Sequence, residues 1–277
     1  MSAPPHWAFA THKGGVGKTM LVAQMAAAAA EAGDRVLVVD MDPQSNVTRR
    51  LAVTLPTDLD ARIEATLAGV LPRPHRGDAA RILTPCGWGD FYTDRIDVAP
   101  GHLDLELLAS TAAQASSEKR LLTALAGVAD DYDVVMIDCP PNLLSHLIDN
   151  AWTASDLLWV PVEPEYDAVE AARRVVERVS ADRDTLNPDL AVGGFIVNRF
   201  RTGLTLHQTR ADEVASILGP ETVCPVRLPE LVAFKNSSES AAPLARQGSD
   251  GRAMASLIKD AYQWQRQRTT TLMGAAA

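Results

Sequence analysis

Two kinds of hydrophobic segment alternate along the chain. Continuous apolar runs recur at Trp7–Thr11, Arg35–Asp40, Arg95–Ala99, Asp133–Asp138, Asp156–Val162 and Ala191–Asn198, and the stretches between them carry apolar residues at helical spacing. Val36-Leu37-Val38-Val39 and Val134-Val135-Met136-Ile137 lack the in-out alternation of a strand with one wet face. They predict strands buried on both sides, as in a parallel sheet covered on each face by crossover helices. Helices are predicted over 18–32, 58–69, 116–129, 142–153, 165–182, 205–218 and 252–268. The expected fold class is α/β: one doubly wound, mostly parallel sheet with helices on both faces, forming a single domain over 1–277 without a separate N-terminal DNA-binding module. Leu71–Gly89, rich in turn formers, is expected to be an excursion between strands. The alanine-rich run Met25–Ala32 is expected to be a helix lying close on the sheet, since alanine is the best helix former and is small.

Composition narrows the picture without changing it. The chain has 277 residues, 47% of them hydrophobic, enough for a substantial core. Its net charge of -9 provides no overall attraction to nucleic acid or anionic lipid, so any such contact needs a local basic patch. Cys86, Cys139 and Cys224 are too few and too scattered for a disulfide framework, which fits a reducing cytoplasm. Met1–His6 shows no targeting signal, and the apolar stretches fall short of the roughly 20 residues that span a bilayer. A cytoplasmic protein with no membrane partner is expected.

Candidate chemistry is densest near the N-terminus. Lys13-Gly14-Gly15-Val16-Gly17-Lys18-Thr19 follows an apolar strand and opens a helix, the context of a phosphate loop. Its glycines let successive N–H groups point inward at phosphate oxygens, and the helix starting at Lys18-Thr19-Met20 adds its positive end. Lys18 is placed to reach the β- and γ-phosphates of ATP, and the Thr19 hydroxyl to bind Mg²⁺. A plain glycine turn would explain the glycines but not the adjoining Lys-Thr pair. Asp138 ends the run Val134–Ile137, where a strand-end carboxylate can hold Mg²⁺ through water; Asp40 and Asp42 end an earlier run in the same way. One such aspartate is as often a cap or turn residue. Three beside one phosphate loop are harder to explain so.

Together with Val38-Val39-Asp40-Met41-Asp42-Pro43-Gln44-Ser45-Asn46 and Tyr132-Asp133-Val134-Val135-Met136-Ile137-Asp138-Cys139-Pro140-Pro141, the loop resembles the deviant Walker P-loop ATPases of the ParA/MinD group, and its strings look like the ParA branch. Val160–Ala168 and Phe195–Arg199 are similar to later family segments, so the resemblance covers about 7–200. It implies an ATPase that forms a homodimer with ATP, binds non-specific DNA in that state, and is released when a centromere-binding partner protein stimulates hydrolysis. It implies that Lys13 crosses the dimer interface to the other protomer's ATP, as an arginine finger does in trans. It further implies that Asp42 orients the attacking water, that Asp40 lies near the metal, that Asn198 with Arg199 meets the adenine, and that Pro229 with Glu230 covers the base.

Beyond Pro229 the sequence departs from the pattern, so the DNA contacts must be sought among nearby basic residues: Arg201 and Arg227 first, then Lys235 and Arg199. Two rivals follow from the same signature lysine. One is a MinD-like membrane- or cargo-positioning ATPase with an amphipathic last helix built on Ala255, Ile258, Ala261, Tyr262 and Trp264; core packing explains those residues as well. The other is an iron–sulfur or metal-handling relative, which needs two suitably placed thiolates per protomer; Cys139 fits a small buried residue better.

Overall fold

The computed structural model describes residues 3–230 and 232–276. Seven strands form one sheet: β1 (His6–Phe9), β2 (Val36–Asp40), β3 (Thr84–Pro85), β4 (Ile96–Ala99), β5 (Val134–Asp138), β6 (Leu157–Val162) and β7 (Ala191–Val197). Their spatial order is β3-β4-β2-β5-β1-β6-β7, and every neighbouring pair is parallel except β3 with β4. The helices are α1 (Lys18–Glu31), α2 (Asn46–Arg50), α3 (Leu59–Glu64), α4 (Leu67–Val70), α5 (Asp90–Thr93), α6 (Arg120–Leu125), α7 (His146–Thr153), α8 (Ala168–Asp182), α9 (Thr205–Leu218), α10 (Val232–Ser240) and α11 (Gly248–Ala276).

Burial on both faces explains the unbroken apolar runs. Alternate residues of one strand enter two different cores: Leu37, Val39, Val135 and Ile137 on one side, Val36, Val38, Val134 and Met136 on the other. The second core is closed by α1 and α11. The alanines of α1 let it lie flat on the sheet, and Met254, Ile258, Ala261 and Tyr262 of α11 pack over it. Trp7 stacks edge-on against Trp159, which in turn meets Trp264. The apolar face of the last helix is therefore spent on the core, which removes the surface that a membrane-lying helix would need. No helix among the described residues is long and apolar enough to cross a membrane.

Several boundaries depart from expectation for local reasons. The helix expected over 58–69 is two short ones, because the Thr66 hydroxyl caps back onto Ile63 O and Leu67 N is drawn to Pro100 O at 2.8 Å. The helix expected over 116–129 keeps only Arg120–Leu125 in α form: a 3-10 turn, Ser117–Lys119, precedes it, and Gly127 leaves the helical region at φ 84. Helix α10 was not expected, and α11 runs beyond the expected 252–268 at both ends. Residues 71–89 do leave the main chain of crossovers, but they return to add β3 at the sheet edge, where Pro85 is tolerated.

Candidate functional site

Strand register builds the site before any side chain is considered. Phe9 of β1 lies opposite Asp138 of β5, and Asp138 lies opposite Asp40 of β2. The carboxyl ends of these three strands are level, so the loop after β1 starts beside both aspartates, in the crevice where open parallel sheets bind ligands. The loop then enters α1 at Lys18. Gly17, at φ 84, is required there twice over: its backbone is left-handed, and a Cβ would come within 2.6 Å of the Asn198 amide.

Two adjoining cavities open on this loop. One, of about 340 Å³, is lined by the loop from Lys13 to Met20 together with Asp42, Gln44, Asn46 and Arg50. The other, of about 550 Å³, shares Gly15, Gly17 and Met20 and continues between Asn198, Arg199, Glu230, Phe234 and Lys235. The first has the chemistry of a phosphate site. The second is more apolar and of a size for a planar base.

The buried interior of the phosphate cavity is polar and only partly satisfied. Lys18 Nζ donates to Asp138 Oδ1, both groups being buried. Burial disfavours the Lys18 charge, but the Asp138 carboxylate more than offsets it and raises the lysine pKa. Burial raises the Asp138 pKa as well, against the pull of Lys18. The second carboxylate oxygen, Asp138 Oδ2, is buried without a hydrogen-bond partner. Such an atom calls for a ligand, and with the Thr19 hydroxyl near Asp138 it makes an oxygen set that fits a hard divalent cation.

Asp40 lies one strand over, opposite Asp138. Its Oδ2 accepts from both Thr48 N (2.9 Å) and Thr48 Oγ1 (2.6 Å), and its Oδ1 accepts from Asp42 N (3.3 Å). Through these bonds Asp40 anchors α2 to the end of β2. Burial and the nearby Asp138 charge push its pKa up to about 7, opposed by the Thr48 bonds. Gly101 seals this contact, since a Cβ there would lie 2.7 Å from Asp40 O. Asp42 is buried, lines the phosphate cavity, and accepts from Gln44 N through Oδ1 at 2.9 Å.

The rim of the site consists of ion pairs. Lys13 lines the cavity mouth, but its Nζ is held by Glu165 at 2.5 Å and Asp167 at 3.0 Å. The Glu165 contact chiefly raises the Lys13 pKa, and Lys13 in turn lowers that of Asp167. On the base side, Asn198 donates to Val16 O at 2.7 Å while its own Oδ1 is buried without a partner, an acceptor free for a base. Arg199, left-handed at φ 54, donates to Gly15 O and pairs with Glu230, both at 3.0 Å. Glu230 lines the cavity; Pro229 does not, its backbone being bridged to Phe200.

The four expected DNA contacts do not form a free basic patch. Arg201 pairs with Glu230, which its guanidinium holds below the usual carboxylate range. Arg227 pairs with Asp212 and lies over the Phe200 ring. Arg199 is engaged as described, and Lys235, beside Glu239, lines the base cavity. The acidic partners come from other elements or another turn of the same helix. No count of nearby lysines and arginines could reveal them. Nor could the sequence single out Arg50, Gln44 and Asn46 as cavity-lining, although Gln44 and Asn46 stand in a string already noted. The three cysteines are buried separately, and burial pushes the Cys139 thiol up to about 12, as expected of a packing residue.

Known proteins resemble this chain in sequence and in fold. The AAA domain family AAA_31 matches residues 6–192. The chain is similar to the chromosome partitioning protein ParA of Myxococcus xanthus, 32% identical over 227 residues covering 80% of this chain and 76% of that one. It is similar to the solved structure of a cobyrinic acid a,c-diamide synthase from Mycobacterium smegmatis with bound ADP and magnesium, at 30% identity and TM-score 0.70 over 90% of this chain and 97% of that one. It also shares its fold with McdA of Cyanothece, solved as a complex with ATP, at 18% identity and TM-score 0.78 over 97% of each chain.

Proposed function

The chain belongs to the ParA-type P-loop ATPases of the AAA domain family, and from that premise we propose that it hydrolyses MgATP and uses the ATP-bound homodimer as a switch for partition of DNA. One observation supports the nucleotide site most directly: an orphaned carboxylate oxygen, Asp138 Oδ2, buried beside the hydroxyl of the helix-opening Thr19 and the amine of Lys18. Thr19 and Asp138 would hold Mg²⁺, which supplies positive charge against the phosphate oxygens. Lys18 would then turn from Asp138 toward the phosphates, its ammonium exchanging the carboxylate oxygen for phosphate oxygens. Asp42 orients the water. Asn198 Oδ1 accepts from the base, and Arg199 closes the loop backbone at Gly15.

Lys13 acts in trans in this reading. Its own chain holds it through exposed carboxylates, contacts weak enough to exchange for a phosphate on a second protomer. The two-protomer state would then double any basic surface freed when the arginine ion pairs open, although the net charge is -9. Contact through Arg201 or Arg227 requires their pairs with Glu230 and Asp212 to open. A centromere-binding partner would stimulate hydrolysis and release. The protein would act as a single domain in the cytoplasm, associated with the nucleoid.

The test is DNA binding measured with ATP, with ADP and without nucleotide. Binding only with ATP, indifferent to sequence and falling steeply with salt, is the expected result. An ATP-bound dimer that ignores DNA at low salt would instead favour positioning of a protein cargo. In that case the fold and the site would be unchanged and only the matrix would differ.

A further inference from the structure

Arg50 is a cation of the phosphate cavity that neither the loop nor its flanking aspartates account for. It is the last residue of α2, and its side chain lines the cavity with Lys13, Lys18 and Asp42. Its Nε is buried and has no hydrogen-bond partner among the described residues. Burial lowers its pKa, with the Asp138 charge opposing, so the guanidinium lies near enough to that carboxylate to feel it, yet no ion pair between them forms. A half-buried guanidinium with an unspent donor beside a phosphate loop costs desolvation that the Asp138 charge offsets only in part.

Its backbone, by contrast, is held from three sides. Asp40 takes the N–H and hydroxyl of Thr48, two residues earlier. The Trp88 indole donates to Arg50 O at 2.8 Å, and Gly87 N donates to Leu51 O at 2.8 Å. A Cβ on Gly87 would approach Ala52 O to 2.1 Å, so this clasp depends on the glycine. The segment 71–89 thus has an identifiable result: its end fixes the turn of helix from which Arg50 projects.

Sheet order says which part of a nucleotide Arg50 would meet. The base cavity lies on the β7 side of β1, where Asn198 and Arg199 follow the strand. Helix α2 follows β2, on the opposite side of β1 and level with Asp138. A nucleotide with its base toward β7 therefore extends its phosphates toward Arg50. We propose that Arg50 binds the terminal phosphate of the nucleoside triphosphate from within the same chain, and so makes the site discriminate triphosphate from diphosphate. The fork of a guanidinium suits two oxygens of one phosphate, and its charge opposes that which gathers there. This rests on the MgATP reading above.

The test uses the full chain and equilibrium binding of a non-hydrolysable ATP analogue and of ADP, each with Mg²⁺, for the parent, Arg50→Ala and Arg50→Lys. Arg50→Ala is expected to weaken the triphosphate about tenfold or more while changing ADP by less than about twofold, and Arg50→Lys to recover part of the loss, restoring charge without the fork. The thermal midpoint of the nucleotide-free Arg50→Ala protein should not fall, because the group lost is unpartnered. Equal weakening of both nucleotides, or no weakening of either, overturns the assignment of Arg50 and leaves the MgATP site standing. Failure of the parent to bind either nucleotide sinks the site reading, and this inference with it.

Discussion

The interior of the phosphate cavity and its rim are built by opposite means. In the interior, Lys18, Asp138, Asp40 and Thr48 are buried and placed by the register of three strands and the first turns of α1 and α2. Outside it, Lys13 at the cavity mouth, Arg199 in the base cavity, and Arg201 and Arg227 beyond both are placed by long side chains meeting part-exposed carboxylates. Exposed ion pairs are worth about 0–1 kcal/mol, whereas removing one partner of a buried pair strands a charge at several times that. The difference separates what must be ready before the ligand arrives from what has to rearrange when it does. A switch needs both: a rigid place to read the phosphates, and a margin of contacts cheap enough to exchange.

The largest expected effect lies in the interior. Lys18→Ala should weaken MgATP binding by about a hundredfold or more, because the buried cation next to the loop is lost; isothermal titration checks it. Affinity close to that of the parent would break the comparison outright. Asp42→Ala should bind MgATP near the parent level yet lose turnover, and size-exclusion chromatography with ATP should show it accumulating as dimer.

At the rim the effects should be smaller on binding and larger on assembly. Lys13→Ala is expected to keep monomer affinity for MgATP within a few-fold while losing turnover and ATP-dependent dimerisation, since Lys18 remains. Turnover near the parent rate would remove the contrast between the two lysines. Glu165→Gln with Asp167→Asn frees Lys13 without touching the interior and should alter the unfolding free energy by no more than about 1 kcal/mol, measured by urea unfolding.

A last effect is one of pH. The Asp40 pKa is raised to about 7 in the folded chain against 3.8 for a free group, so the fold holds that proton to higher pH than the unfolded chain does. Stability contributed this way is complete below about pH 4 and declines as pH rises toward and through 7. Asp40→Asn cannot ionise and should show a flatter dependence of unfolding free energy over that window. An unchanged slope would show that Asp40 stays charged in the fold.

Much of this was legible in the sequence, for reasons that differ by residue. Val36–Val39 and Val134–Ile137 read as doubly buried strands because the sheet leaves them no wet face. The loop 13–19 read as a phosphate site because its backbone needs glycine and its helix start needs no side chain to attract an anion. What did not show was pairing across the fold. Asp40 looks like its neighbour Asp42, yet its oxygens go to Thr48, eight residues on. The arginines near the base read as a basic surface until Glu230 and Asp212 close on them. Helix α10 hides because Val232-Ala233-Phe234-Lys235-Asn236-Ser237 has little apolar periodicity, only Ala233 and Ser237 being buried.

The clasp of Trp88 on α2 also gives the molecule an optical handle. Of its five tryptophans, Trp7, Trp152 and Trp159 are sealed in the cores, and Trp264 leans on Trp159. Trp88 alone is hydrogen-bonded to the helix that borders the phosphate cavity. Emission from the first four reports whether the sheet is intact, while that from Trp88 reports how firmly the turn under Arg50 is held. A protein retaining only Trp88 would therefore let nucleotide arrival be followed as a change of colour and intensity, without a dye.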